Sequence, residues 1–85
     1  MVLVVLPGVL AAQAGGRKRF EVEAATVDQA LRALPIADLL YDERGELRPL
    51  VNVFVDGRDV RGDGGVDVPL EGAREVRVVG AVAGG

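Results

Sequence analysis

Eight residues near the middle of the chain, Leu50-Val51-Asn52-Val53-Phe54-Val55-Asp56-Gly57, leave little freedom in how they fold. Valine falls at alternate positions with Asn52 and Phe54 between, which is the period-two pattern of a half-buried strand. Asp-Gly follows at once. Those two residues favour a type I′ hairpin turn, which needs positive φ at both central positions. The strand therefore reverses at Asp56-Gly57, and residues 58–61 return beside it as a short strand. With 85 residues there is room for one domain. The rest of the chain must supply neighbours for this strand and a cover for its valine face.

Residues 2–6 are continuously apolar and read as a first strand, broken by Pro7-Gly8. A short apolar stretch leads to the turn chemistry of Gly15-Gly16. Phe20-Glu21-Val22-Glu23 then alternates, so Phe20 and Val22 face a core while both glutamates face water. These two strands form an opening hairpin-like pair. Thr26-Val27-Asp28-Gln29 has the form of a capping box, in which the Thr26 oxygen accepts from the Gln29 amide and Gln29 reaches back to the Thr26 amide. Val27, Ala30, Leu31 and Leu34 make one apolar stripe on a helix of about nine residues, closed by Pro35. A helix this short must pack on the strands to exist.

Residues 36–41 are a second apolar patch with room for a helical turn, and residues 42–46 are a polar loop. Residues 74–79 form the last strand, with Val76 and Val78 on one face and Arg77 and Val79 on the other. The expected order is strand, strand, helix, strand, short strand, strand. One helix covering a sheet whose first and last strands lie parallel describes an α+β roll of the β-grasp type. The expected fold is thus a four- to five-stranded mixed sheet with one main helix over residues 1–79, followed by a flexible tail, residues 80–85.

The composition removes several chemistries. The chain has no cysteine and no histidine, so thiol nucleophiles, disulfides, typical zinc sites and the usual neutral-pH general base are excluded. Asp56, Asp59, Asp63 and Asp67 fit no calcium-loop spacing, and no metal site is expected. No Gly-rich segment is followed by the Lys-Ser/Thr of a phosphate-binding loop. With a net charge of −3, the only basic run is Arg17-Lys18-Arg19, read as a solvated end rather than a nucleic-acid site. The apolar start carries no preceding Lys or Arg and is too short to span a bilayer, so neither a signal peptide nor a membrane segment is expected. The expected compartment is the cytoplasm.

The element order, the hairpin over residues 51–61, the Leu70-Glu71-Gly72 turn and the ending Ala81-Val82-Ala83-Gly84-Gly85 resemble the ThiS/MoaD-type, ubiquitin-like sulfur carriers. The resemblance spans essentially the whole chain. Within that family the sequence looks most like the carrier of the phosphoserine-dependent cysteine synthase system, and like carriers recruited for natural-product thiolation. It implies that the Gly85 carboxylate is adenylated by an E1-like adenylyltransferase that uses ATP and magnesium. A sulfur donor then displaces AMP to leave a thiocarboxylate for a sulfur-accepting synthase. It also implies a metalloprotease that removes residues added to the tail. The chain would bind no cofactor and would be a protein cosubstrate rather than an enzyme.

The physical logic of the ending agrees with this. Residues without Cβ atoms thread a narrow channel and leave the Gly85 carbonyl open to attack. Six extended residues reach roughly 20 Å. Strand parity then places a partner surface: if Val51, Val53 and Val55 point to the helix, Phe54 points away, as do Leu3, Val5 and Val79. Those four residues are expected to form an exposed apolar patch near the tail. Two other readings use the same fold: a ubiquitin-like modifier joined to lysines through Gly85, and a β-grasp binding module with no terminal chemistry.

Overall fold

The computed structural model describes residues 1–80. Strand β1 (Val2–Val5) leads into helix α1 (Gly8–Gln13), strand β2 (Arg19–Val22), helix α2 (Val27–Arg32) and helix α3 (Ala37–Leu40). Strands β3 (Val51–Val55), β4 (Arg58–Asp59) and β5 (Glu75–Gly80) complete one five-stranded sheet of order β2-β1-β5-β3-β4. The β1–β5 pair is parallel and the other three pairs are antiparallel. This is the mixed sheet of the ubiquitin-like β-grasp, with first and last strands side by side at its centre.

The core follows from strand parity. Val4, Val53, Val76 and Val78 point to the helical side and are at most 1% exposed. Val27, Ala30 and Leu31 on α2, Leu10 and Ala11 on α1, and Leu40 on α3 close over them. Phe20 and Val22 pack against the margin of this cluster, while Glu21 and Glu23 are exposed. No polar or charged residue is buried among the described residues. Burying apolar area is therefore the main stabilising contribution of that face.

Local chemistry explains the elements and also where expectation and structure differ. The Asp56-Gly57 turn has φ of 49° and 89°, the positive pair that a type I′ turn requires. Thr26 caps α2, its Oγ1 accepting from the Gln29 amide at 3.2 Å. Gln29 Oε1, however, accepts from the Ala25 amide at 2.8 Å, one residue before the donor expected for a capping box. The helix is six residues long rather than nine. Ala33 is already its C-cap, because Pro35 restricts Leu34 and leaves no amide to carry the ladder onward.

Two further expectations are corrected. The first two strands do pair antiparallel, but they are not a hairpin: α1 lies between them. Proline beside a helix start forfeits only an amide that the first turn does not use, so Pro7 precedes α1 without breaking it. Gly15, with φ of 74°, stops α1, and the Gly16 amide closes back onto the Ala11 carbonyl at 2.7 Å. At the hairpin, the return strand stops after Asp59. Asp59 Oδ1 accepts from the Arg61 amide at 2.9 Å and starts a 3-10 turn, Val60–Gly62, that sends Val60 into the core. A short Asp side chain competing for a nearby amide ends the strand.

Candidate functional site

The register of the central strands fixes where the last described residue, Gly80, sits. Gly80 is the last residue of β5, one later than the expected domain boundary, and it pairs with Val51 at the start of β3. Val5 pairs with Arg77, so the end of β1 lies at the same end of the sheet. The start of β2 is there too, because Arg19 pairs with Val5. The tail expected to carry the chemistry, Ala81, Val82, Ala83, Gly84 and Gly85, lies outside the described residues.

On the sheet face away from the helices, side chains fall into cross-strand rows. Glu21, Leu3 and Glu75 make the row farthest from the Gly80 end. Arg19, Val5, Arg77, Phe54 and Asp59 make the next. Asn52 and Val79 make the row beside Gly80. Leu3, Val5, Phe54 and Val79 thus share this outer face, the first three half-buried and Val79 43% exposed. Arg77 stands between Val5 and Phe54, its guanidinium 3.1 Å from a Glu75 carboxylate oxygen. The four residues share one face, divided by an ion pair.

Two features of this end escape sequence reasoning. Leu50 reads as the first residue of a strand, yet it lies outside β3 and is 53% exposed, next to the Val51–Gly80 pair. Pro49 is the signal that was available, since a proline directly before an apolar run marks its approach rather than its interior. Arg61 is the second. Its guanidinium donates to Asn52 Oδ1 at 2.7 Å and to the Arg48 carbonyl at 3.2 Å. That places a cation beside Val79, because Asn52 and Val79 are directly opposite residues. Nothing in a nine-residue separation across a turn announces that contact.

The opposite end of the sheet is tied down. The carboxylate of Asp56 accepts from the Arg74 amide at 3.2 Å and from the Glu75 amide at 3.0 Å, and the Asp56 amide donates to the Glu75 carbonyl. The hairpin turn thereby clamps the start of β5. A shallow cleft of about 240 Å³ opens there between Val55, Val60, Val68 and Ala73, rimmed by Asp56, Arg58, Asp63 and Glu71. Away from the sheet, Arg32 lies over the Tyr41 ring, and Asp28 accepts from both Arg32 and the Tyr41 hydroxyl. Burial, the hydrogen bond to Asp28 and the charge of Asp28 push the Tyr41 phenol well above its ordinary range. This network staples α2 to the segment after α3. It does not touch the outer face.

Among the described residues no group of three or more metal-ligating side chains comes together, and no helix is long and apolar enough to cross a membrane. Against this geometry, residues 4–85 match the ThiS family model, a span that includes Gly84 and Gly85. The chain belongs to the ThiS family. Among its relatives, the sulfur carrier protein CysO of Mycobacterium tuberculosis is 31% identical over 91 residues, covering 99% of this chain and 98% of CysO. The crystal structure of that CysO superposes with a TM-score of 0.82 over 96% of this chain and 100% of its own. A chain of the Amycolatopsis orientalis BexX/CysO complex is 30% identical and aligns over the full length of both, with a TM-score of 0.79. SAMP1 from Haloferax volcanii aligns at 28% identity and a TM-score of 0.75, covering 99% of this chain and 98% of its own. The ThiS-family fold and the likeness to CysO are as the sequence led one to expect.

Proposed function

We propose that this chain is a sulfur carrier and a protein cosubstrate, with the Gly85 carboxylate as its working group. The observation that carries the reading is that the family match spans residues 4–85, Gly84 and Gly85 included, on a fold whose central strand β5 runs to Gly80. In the first step a Gly85 carboxylate oxygen attacks the α-phosphorus of ATP held, with magnesium, on an E1-like adenylyltransferase. Pyrophosphate leaves and a mixed anhydride forms. In the second step a sulfur nucleophile adds to the Gly85 carbonyl and AMP leaves with the bridging oxygen. The resulting thiocarboxylate hands its sulfur to a synthase, in cysteine, cofactor or secondary-metabolite formation. A complex between BexX and CysO, by its name, supports the idea that such carriers work docked on other proteins.

The outer face carrying Leu3, Val5, Phe54 and Val79 is the proposed docking surface. Beyond Val79 it adjoins the point where Gly80 leaves the sheet, so one partner engages the face and receives the tail. Where residues are added beyond Gly85, a metalloprotease would have to expose the carboxylate first. Activity in the cytoplasm, where ATP is plentiful, completes the reading.

A second reading is favoured by the likeness to SAMP1, a name that stands for small archaeal modifier protein 1. In it the activated Gly85 acylates a lysine amine of a target protein. Intact-mass analysis after incubation with ATP, sulfide and the E1-like enzyme separates the two. Exchange of one oxygen for one sulfur supports the carrier; a branched adduct with another protein supports the modifier; an unchanged mass contradicts both.

A further inference from the structure

The net charge of −3 conceals a strong separation of charge along the sheet. At the end where Gly80 leaves, the sheet and the segments running directly into it carry Arg17, Lys18, Arg19, Arg48 and Arg61, all exposed. Among the described residues none of these five has a carboxylate within ion-pair distance; the ion pairs present use Arg32, Arg58 and Arg77. The far end carries Glu21, Glu23, Asp56, Asp67, Glu71 and Glu75 against Arg74 and the Arg58–Asp63 pair, and Asp59, in the row of Arg19 and Arg77, is the exposed carboxylate nearest the Gly80 end. Asp38, Glu43 and Glu46 belong to α3 and the loop after it, in the helical layer.

Arg61 is the best placed of the five cations. Its hydrogen bonds to Asn52 and the Arg48 carbonyl are to neutral acceptors. They fix the guanidinium beside Val79 without neutralising it, and other N–H donors of the five remain free for a carboxylate. Covering unpaired cations with a neutral or basic surface costs desolvation energy that nothing offsets. Covering them with carboxylates recovers it and speeds encounter.

We infer that the tail exit is a basic collar that steers this chain, tail first, onto a protein with an acidic rim around the mouth of its active-site channel. The inference rests on the carrier reading and deepens it by naming the chemistry of the E1-like partner's docking surface. A charge separation of this kind acts before contact, at separations up to about a Debye length of 8–10 Å.

The test measures pyrophosphate release by the E1-like enzyme of the source organism, with ATP saturating and this chain varied, across a range of ionic strength. For the natural chain, kcat/KM falls about tenfold or more as salt rises, with kcat unchanged. Arg61→Glu and Lys18→Glu each lower kcat/KM severalfold at low salt, flatten the salt dependence and leave kcat alone. Lys18 makes no side-chain hydrogen bond or ion pair among the described residues, so its variant is free of any folding defect traced to a lost contact. Glu71→Arg and Asp67→Arg, at the far end, do not lower kcat/KM.

A salt-independent kcat/KM, equal losses from both ends, or a loss confined to kcat overturns the inference while leaving the carrier reading intact. Absence of pyrophosphate release with the natural chain overturns the carrier reading itself. Binding of bulk transfer RNA near physiological salt, abolished by Lys18→Glu, would assign the collar to nucleic acid and overturn the inference.

Discussion

The two faces of the central sheet are made from the same strands and do opposite things. On the inner face Val4, Val53, Val76 and Val78 are sealed beneath three short helices with no polar group among them. On the outer face, one residue along each strand, Leu3, Val5, Phe54 and Val79 remain accessible between Arg77, Glu75 and the Asn52–Arg61 pair. The inner face holds the fold together. The outer face is the proposed docking surface, and it reaches the row beside Gly80, the last described residue. Period-two alternation lets one strand serve both purposes, because a substitution on one side leaves the other side's contacts in place.

Substitutions on each face test that separation. The largest effect is expected for Leu31→Ala, since Leu31 is fully buried where α2 meets the sheet. Deleting a buried leucine costs about 2–5 kcal/mol, a large share of the roughly 5–15 kcal/mol that holds a domain folded. A urea midpoint that barely moves would break the comparison at its inner side. Next is Asp28→Ala, which leaves the Tyr41 hydroxyl without its acceptor and removes the Arg32 pair. An unsatisfied buried hydroxyl costs about 1–3 kcal/mol.

The same network has a pH signature. Because the Tyr41 phenol is raised in the folded state, the native protein holds that proton more tightly than the unfolded chain does. Its contribution to stability is complete below the unfolded tyrosine value, about 10, and is lost as pH climbs through the folded one. Tyr41 is the only tyrosine. Denaturation followed at increasing alkalinity should therefore lose this component in Tyr41→Phe, and a fall of the same size in both proteins would remove the assignment.

Thr26→Ala takes away the α2 cap and should lower stability by about 1 kcal/mol, read as a shift in thermal midpoint. Smallest for stability is Phe54→Ala, on the outer face, where a change under about 1 kcal/mol is expected. Its effect belongs elsewhere: affinity for the activating partner should fall about tenfold. Unchanged affinity would show that the outer face is not the docking surface.

What could be read in advance follows from how local each signal is. The β3 strand and its Asp56-Gly57 turn were legible because alternation and positive φ are written into adjacent residues. The Thr26 cap was legible for the same reason. Helix α1 was hidden because its six residues, Gly8–Gln13, start on the Pro7-Gly8 pair and end just before Gly15-Gly16, and glycine and proline punctuate helices and turns alike. The early end of β4 was hidden because Asp59 capturing the Arg61 amide competes with a ladder that its sequence also permits. Leu3, Val5, Phe54 and Val79 could be assigned to one face by parity, whereas the ion pair dividing them depends on the β1–β5–β3 register. Arg61 beside Val79 needs the whole hairpin and sheet in place, and no short window of sequence contains it.

The most direct measurement is ATP–pyrophosphate exchange by the E1-like enzyme on two purified chains, one ending at Gly85 and one bearing a single alanine after it. A carrier whose terminal glycine is adenylated supports exchange only in the first, and only the first then gains sulfur. Equal exchange with both chains, or none with either, would contradict a terminal-carboxylate chemistry for this protein.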